Sequence, residues 1–175
     1  NGFEGARTNE EKQRGITIDL SFSNLNRAER NIAFIDVPGH EKLIKNMIAG
    51  AFGFDYVMLV VSAKEGLMPQ TIEHIEILSL LGIKNLILVI TKKDLVDEKM
   101  LKEQEDKIVE FLNEFEFNIK FIKAVSIYDE KSIEDLKNSL FTISNSTKTP
   151  ENFFRFYVDR VFSVKGSGTV VTGTV

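Results

Sequence analysis

Apolar Ile16, Ile18, Leu20 and Phe22 alternate with polar residues through ITIDLSFS (16–23), the two-residue period of a strand with one buried face. The polar stretch NLNRAER (24–30) predicts a turn. NIAFIDV, from Asn31, predicts a second strand near enough to pair with the first as an antiparallel hairpin. The period then changes: Ile44, Met47, Ile48 and Ala51 recur three and four residues apart, a helical spacing. DYVMLVVS (55–62) is an unbroken apolar run, which predicts a strand buried on both faces. Next come TIEHIEILSLLG (71–82) as helix, NLILVI (85–90) as buried strand, and EKMLKEQEDKIVEFLNEF (98–115) as a helix with Ile108, Leu112 and Phe115 along one stripe. FIKAVS (121–126) predicts a strand, and KSIEDLKNSLF (131–141) a helix after it.

Strands and helices that alternate through short connections predict an α/β fold with a parallel, doubly wound sheet and one antiparallel edge hairpin. Such sheets bind ligands at the carboxyl ends of their strands. TISNSTKTPEN (142–152) is polar and holds one of three prolines, so a linker is expected there. Beyond it, aromatic and β-branched residues broken by Gly166, Gly168 and Gly173 predict β-structure of another kind. The expected organisation is a domain over 1–145, a linker over 146–152, and the opening part of a second, all-β domain over 153–175.

Composition narrows the function. With 43% hydrophobic and 27% charged residues the chain can bury a core, and 22 Lys plus Arg against 26 Asp plus Glu exclude a globally basic nucleic-acid footprint. Any RNA contact has to be local. The absence of cysteine removes disulfides and thiolate metal sites and permits a reducing cytoplasm. No apolar run approaches the roughly 20 residues that span a bilayer, and NGFEGARTNEEK lacks the apolar core of a signal peptide, so no membrane partner is expected.

Candidate chemistry sits where strands end. Asp36 closes a strand and precedes Pro38, Gly39 and His40. A carboxylate there can hold hydrated Mg²⁺, and a glycine lets a backbone N–H approach a phosphate oxygen with no Cβ in the way. The positive end of the following helix adds to the same place. A simple strand-to-helix turn capped by Asp36 explains the same residues. TKKD (91–94) follows the next buried strand but one. Asp94 can accept the two parallel N–H donors of a guanine edge, a pair that adenine lacks, and Lys92 can lay its methylene stem along the ring. The competing reading is a solvated charged loop. Ser126 ends the last sheet strand, where its hydroxyl and a loop N–H can close over the base oxygen. Thr17 offers a hydroxyl to Mg²⁺, although a strand Thr facing solvent is the commoner explanation. His74, on a helix, reads as structural, and Met68 and Pro69 carry no reaction.

RGITI, DVPGHEKLIKNMIAGA, EGLMPQTIEH and TKKDLVD together resemble the translational GTPases, almost end to end. EEKQRGITIDLSF, the Thr that opens TKKD, and VDRVFSVKGSGTVVTGTV are most similar to the selenocysteine-specific elongation factors within that family. The resemblance implies a P-loop GTPase-type sheet followed by the start of a β-barrel translation-factor domain, with GTP/GDP and Mg²⁺ as cofactors. It makes Thr17 the direct magnesium ligand and Asp36 a holder of Mg²⁺ through water. Gly39 becomes the amide that senses the γ-phosphate, and Thr91, Lys92, Asp94 and Ser126 become the base site. His40 would orient the attacking water, since positioning and electrostatics dominate phosphoryl transfer. The implied partners are selenocysteinyl-tRNA, the ribosome, and an mRNA hairpin read through a C-terminal region outside this chain. Selenols are more acidic than thiols, whose unperturbed pKa is about 8.5, so the aminoacyl group is an anion at neutral pH. Arg160, with Asp159 beside it, resembles part of its cationic pocket; an exposed strand ion pair is the alternative.

The chain departs from the family pattern in three places. No G-x-x-x-x-G-K-[ST] occurs, so the expectation is a sequence truncated before Asn1, inactive by itself, with an exposed gap in its sheet. Thr91 replaces the commoner Asn. Ile127 follows Ser126 with no glycine nearby, where the family commonly has Ala. The alternative functions are another Tu-like or initiation-factor GTPase, or a fragment that only binds partners; TKKD and DVPGH argue against a flavodoxin-like receiver.

Overall fold

The computed structural model describes residues 21–27, 30–37, 55–143, 156–166 and 168–174. The chain divides into two compact units, residues 1–54 with 146–175, and residues 55–145. In the first unit, β1 (Ser21–Arg27) and β2 (Arg30–Asp36) pair antiparallel from Ser21↔Asp36 to Arg27↔Arg30. The expected hairpin is present, but its first strand runs on through Asn24–Arg27, where the polar composition predicts a turn. The alternation explains why: Asn24 and Asn26 are exposed while Ser23 and Leu25 are half-buried, so the polar side chains occupy the solvent face of a continuing strand. Only Ala28 and Glu29 separate the paired arginines. Residues 16–20 of the expected strand, the helix over Ile44–Ala51 and the linker over 146–152 lie outside the described residues.

The second unit is a parallel sheet in the order β3 (Val57–Ser62), β4 (Asn85–Thr91), β5 (Asn118–Ala124). Helix α1 (Pro69–Leu80) connects β3 to β4, α2 (Glu98–Asn113) connects β4 to β5, and α3 (Glu130–Thr142) follows β5. Pro69 takes the first helical turn, where its missing N–H costs nothing, and so starts α1 two residues earlier than periodicity alone predicts. Asp97 caps α2 by accepting the Met100 N–H at 2.7 Å, and Asp129 caps α3 by accepting the Ser132 N–H at 3.2 Å.

The core forms where one face of the sheet meets two helices. Leu59 and Val61 of β3 and Leu86, Leu88 and Ile90 of β4 pack with Ile75 of α1 and with Ile108 and Leu112 of α2. Phe115 lies just past the end of α2 and packs against the same cluster. On the other face Ile87 and Val89 are buried as well, so β4 is covered on both sides, as an all-apolar central strand demands. β3 departs from expectation: Met58 is 36% and Val60 51% exposed. These two share a face with Ile87 and Val89 through the pairs Met58↔Ile87 and Val60↔Val89. The helix after the sheet packs against β5, at the edge opposite β3. An apolar run therefore marked a strand correctly without guaranteeing two covered faces.

β6 (Tyr157–Val164) and β7 (Gly168–Thr174) form an antiparallel hairpin whose turn holds Gly166 at φ 90 and enters β7 at Gly168, φ 80. Both values are left-handed, where a Cβ is unwelcome. Among the described residues no helix is long and apolar enough to cross a membrane.

Candidate functional site

The three parallel strands end on the same side, and three loops follow them. After β3, the Gly66 N–H bonds to the Ser62 carbonyl at 2.8 Å, closing a turn over Ala63–Glu65; Gly66 itself is buried at φ 67. After β4, the Ala63 N–H donates to the Thr91 carbonyl at 2.8 Å and the Thr91 hydroxyl to the Val61 carbonyl at 3.4 Å, holding the two strand ends level. Lys92 then turns into the left-handed region, φ 57 and ψ 35, and a 3-10 turn carries Lys93–Leu95. After β5, the Lys93 N–H meets the Val125 carbonyl at 3.3 Å, which brings Ser126 beside Asp94.

A cavity of about 380 Å³ opens between the last two loops and the start of α2. Its acids are Asp94, Asp97, Glu98 and Asp129, against Lys93 as the one cation among its lining residues. Asp97 is occupied by its helix cap, and Asp129 by both its cap and the Lys93 ammonium 2.7 Å away. The Asp94 carboxylate, exposed at the cavity, has no hydrogen bond or ion pair among the described residues. Among those residues, too, no three His, Asp or Glu side chains are grouped to hold a metal ion. The lining therefore suits a neutral ligand edge that presents N–H donors, and it repels phosphate.

Ser126 is 2% exposed. Its N–H donates to the Ser132 hydroxyl at 3.1 Å and its hydroxyl oxygen accepts the Tyr128 N–H at 3.1 Å, while the Ser126 O–H keeps its own proton to donate. The Ser132 hydroxyl gives its single proton to the Asp129 carbonyl at 2.7 Å, the shortest of its contacts. The Lys93 ammonium, with the Ser132 N–H behind it, holds Asp129 below the ordinary carboxylate value.

At the ends of β4 and β5, Asp94 and Ser126 line the cavity together, whereas Thr91 gives its hydroxyl to the Val61 carbonyl and Lys92 its ammonium to Glu65. Asp36 is exposed at the end of β2 in the other compact unit, and Asp159 and Arg160 lie on β6 in that same unit. Thr17, Gly39 and His40 lie outside the described residues. Sequence reasoning passed over Lys93, Asp129 and Tyr128 in the cavity wall. Only Asp129 carried a signal, as an Asp three residues ahead of Ser132 at a helix start.

Residues 5–157 match the family described as the elongation factor Tu GTP binding domain, and the chain belongs to that family. Within it, similar relatives include selenocysteine-specific elongation factors. The chain is 45% identical over 177 residues to that of Desulfomicrobium baculatum and 39% identical over 174 residues to that of Escherichia coli strain K12; each alignment covers 99% of this chain and 28% of the relative. Among solved structures, a bacterial selenocysteine-specific elongation factor, EF-Sec, aligns with a TM-score of 0.81 and 43% identity, over 98% of this chain and 30% of that one. SelB of Methanococcus maripaludis in complex with the GTP analogue GppNHp aligns with a TM-score of 0.75 and 34% identity, over 90% and 36%. The chain spans under a third of the length of these curated relatives.

Proposed function

We propose that this chain is the GTP-binding part of an elongation factor that delivers selenocysteinyl-tRNA to the ribosome and hydrolyses GTP there. The observation that carries the reading is the Asp94 carboxylate, unengaged among the described residues, in a cavity whose neighbouring Asp97 and Asp129 are already occupied. Asp94 accepts the N1–H and 2-amino donors of guanine together, which adenine cannot supply. Lys92 lays its stem along the ring, Thr91 anchors the loop to β3, and Ser126 donates its hydroxyl to the base oxygen. That the Methanococcus maripaludis relative binds a GTP analogue supports a guanine nucleotide as the ligand.

An acidic base pocket repels phosphates, and Asp36, at the end of β2, is the acid proposed to serve them through Mg²⁺. Its exposed carboxylate is a hard oxygen donor fit for Mg²⁺ held through water, with the Thr17 hydroxyl as a direct ligand. When bound, Mg²⁺ neutralises charge on the phosphate oxygens. The Gly39 amide senses the γ-phosphate, and His40 orients the attacking water once the ribosome has positioned it. Arg160, beside Asp159, offers a cation to the selenolate of the aminoacyl group. An mRNA hairpin would be read by a part of the factor beyond these residues, and the work would be done in the cytoplasm.

The test compares GDP with ADP binding in the full-length gene product. The expected result is a preference for GDP of at least about 100-fold that collapses in Asp94→Asn. Equal affinity for the two nucleotides would overturn the reading. Delivery is tested by selectivity for selenocysteinyl-tRNA over cysteinyl-tRNA, which Arg160→Ala should reduce.

A further inference from the structure

Lys92 and Lys93 are neighbours in sequence, yet their ammonium groups go to carboxylates on different loops. Lys92 Nζ lies 3.5 Å from Glu65 Oε2 after β3, and Lys93 Nζ lies 2.7 Å from Asp129 Oδ2 after β5. Because β4 is the middle strand, its terminal loop is tied to the loop on either side. The two ties are unequal. The Lys93 contact is shorter, and its lysine side chain is 29% exposed against 54% for Lys92, so water screens it less.

Asp129 is held from several directions at once. Oδ2 takes Lys93, Oδ1 takes the Ser132 N–H, and its carbonyl takes the Ser132 hydroxyl. That same hydroxyl oxygen accepts the Ser126 N–H. A connected route therefore runs from Lys93, next to Asp94 in the chain, through Asp129 and Ser132 to Ser126.

We infer that the Lys93–Asp129 ion pair is a positioning device that fixes Asp94 relative to Ser126 and thereby sets how sharply the pocket selects guanine. The inference rests on the guanine reading of the cavity. Neither residue needs to touch the base. A carboxylate that must meet two donors at once loses one of them when its loop shifts by a few tenths of an ångström, because hydrogen bonds weaken steeply with misalignment. Hypoxanthine presents only one N–H at that edge and demands less of the geometry. Loosening the pair should then weaken GDP binding more than inosine diphosphate binding, a difference that general destabilisation of the fold would not produce.

The test measures GDP and inosine diphosphate dissociation constants for the full-length gene product and its variants. Lys93→Met keeps the length of the side chain, and Asp129→Asn keeps a good helix cap, so each removes the charge with little else. Each should raise the GDP constant roughly fivefold and the inosine diphosphate constant less than about twofold. The double variant should be no worse than either single one, since both break the same contact. Lys93→Arg should stay within about twofold of the parent. Equal losses for both nucleotides, no loss, or additive losses would overturn the positioning role. Asp94→Asn separates this from failure of the underlying reading: if that variant binds GDP as the parent does, the cavity is not a guanine site and the pair positions nothing.

Discussion

Lys92 holds a left-handed backbone with its ammonium 3.5 Å from Glu65, so the residue expected to lie along the base also carries an unfavourable main-chain conformation. That conformation costs a residue with a Cβ about 1–2 kcal/mol. Lys92→Gly should therefore be neutral or stabilising by up to about 1 kcal/mol in urea unfolding, while weakening guanine nucleotide binding through loss of the stem. Lys92→Val should lose both, with stability falling by about 1–2 kcal/mol.

Gly66 meets two constraints at once. Its φ of 67 disfavours any side chain, and a Cβ built there would stand 2.5 Å from Oε1 of Gln104. The glutamine end can swing away, so the backbone term should dominate. Gly66→Ala is expected to cost about 1–2 kcal/mol, and adding Gln104→Ala should recover only a minor part, as read from thermal or urea unfolding of the two variants.

His74 lies on α1 with Nε2 buried and without a hydrogen-bond partner among the described residues. Burial pushes its pKa below the ordinary 6.5, against the smaller opposing pull of Glu73. Between the lowered value and 6.5 the unfolded chain binds the proton and the folded chain does not. Stability from this group is therefore complete above pH 6.5 and declines as pH falls through and below 6.5, levelling once the folded protein also takes the proton. Unfolding measured from pH 7.5 to 5 should show that decline, and His74→Leu should flatten it.

How much of this was legible in the sequence depended on the interaction involved. β4 was readable because LILVI (86–90) is apolar throughout, and only a strand covered on both sides tolerates that. β1 was readable in kind but not in extent, since Asn24 and Asn26 look like turn residues until a partner strand gives them a solvent face. TKKD and Ser126 could be placed at strand ends by counting elements. The contacts of Lys93 with Asp129 and of Lys92 with Glu65 could not, because they depend on which strand ends stand side by side, and local pattern carries no record of that. The partial exposure of Met58 and Val60 was hidden for the same reason.

The sheet order β3, β4, β5 follows the order of the chain, with one helix between each strand and the next. As this unit leaves the ribosome during synthesis, β4 finds β3 already outside and β5 finds β4 already outside. Residues 55–145 can thus be assembled vectorially, edge by edge, and the two loops that meet through Lys93 and Asp129 are joined only when the last of the three strands and the cap of α3 have emerged.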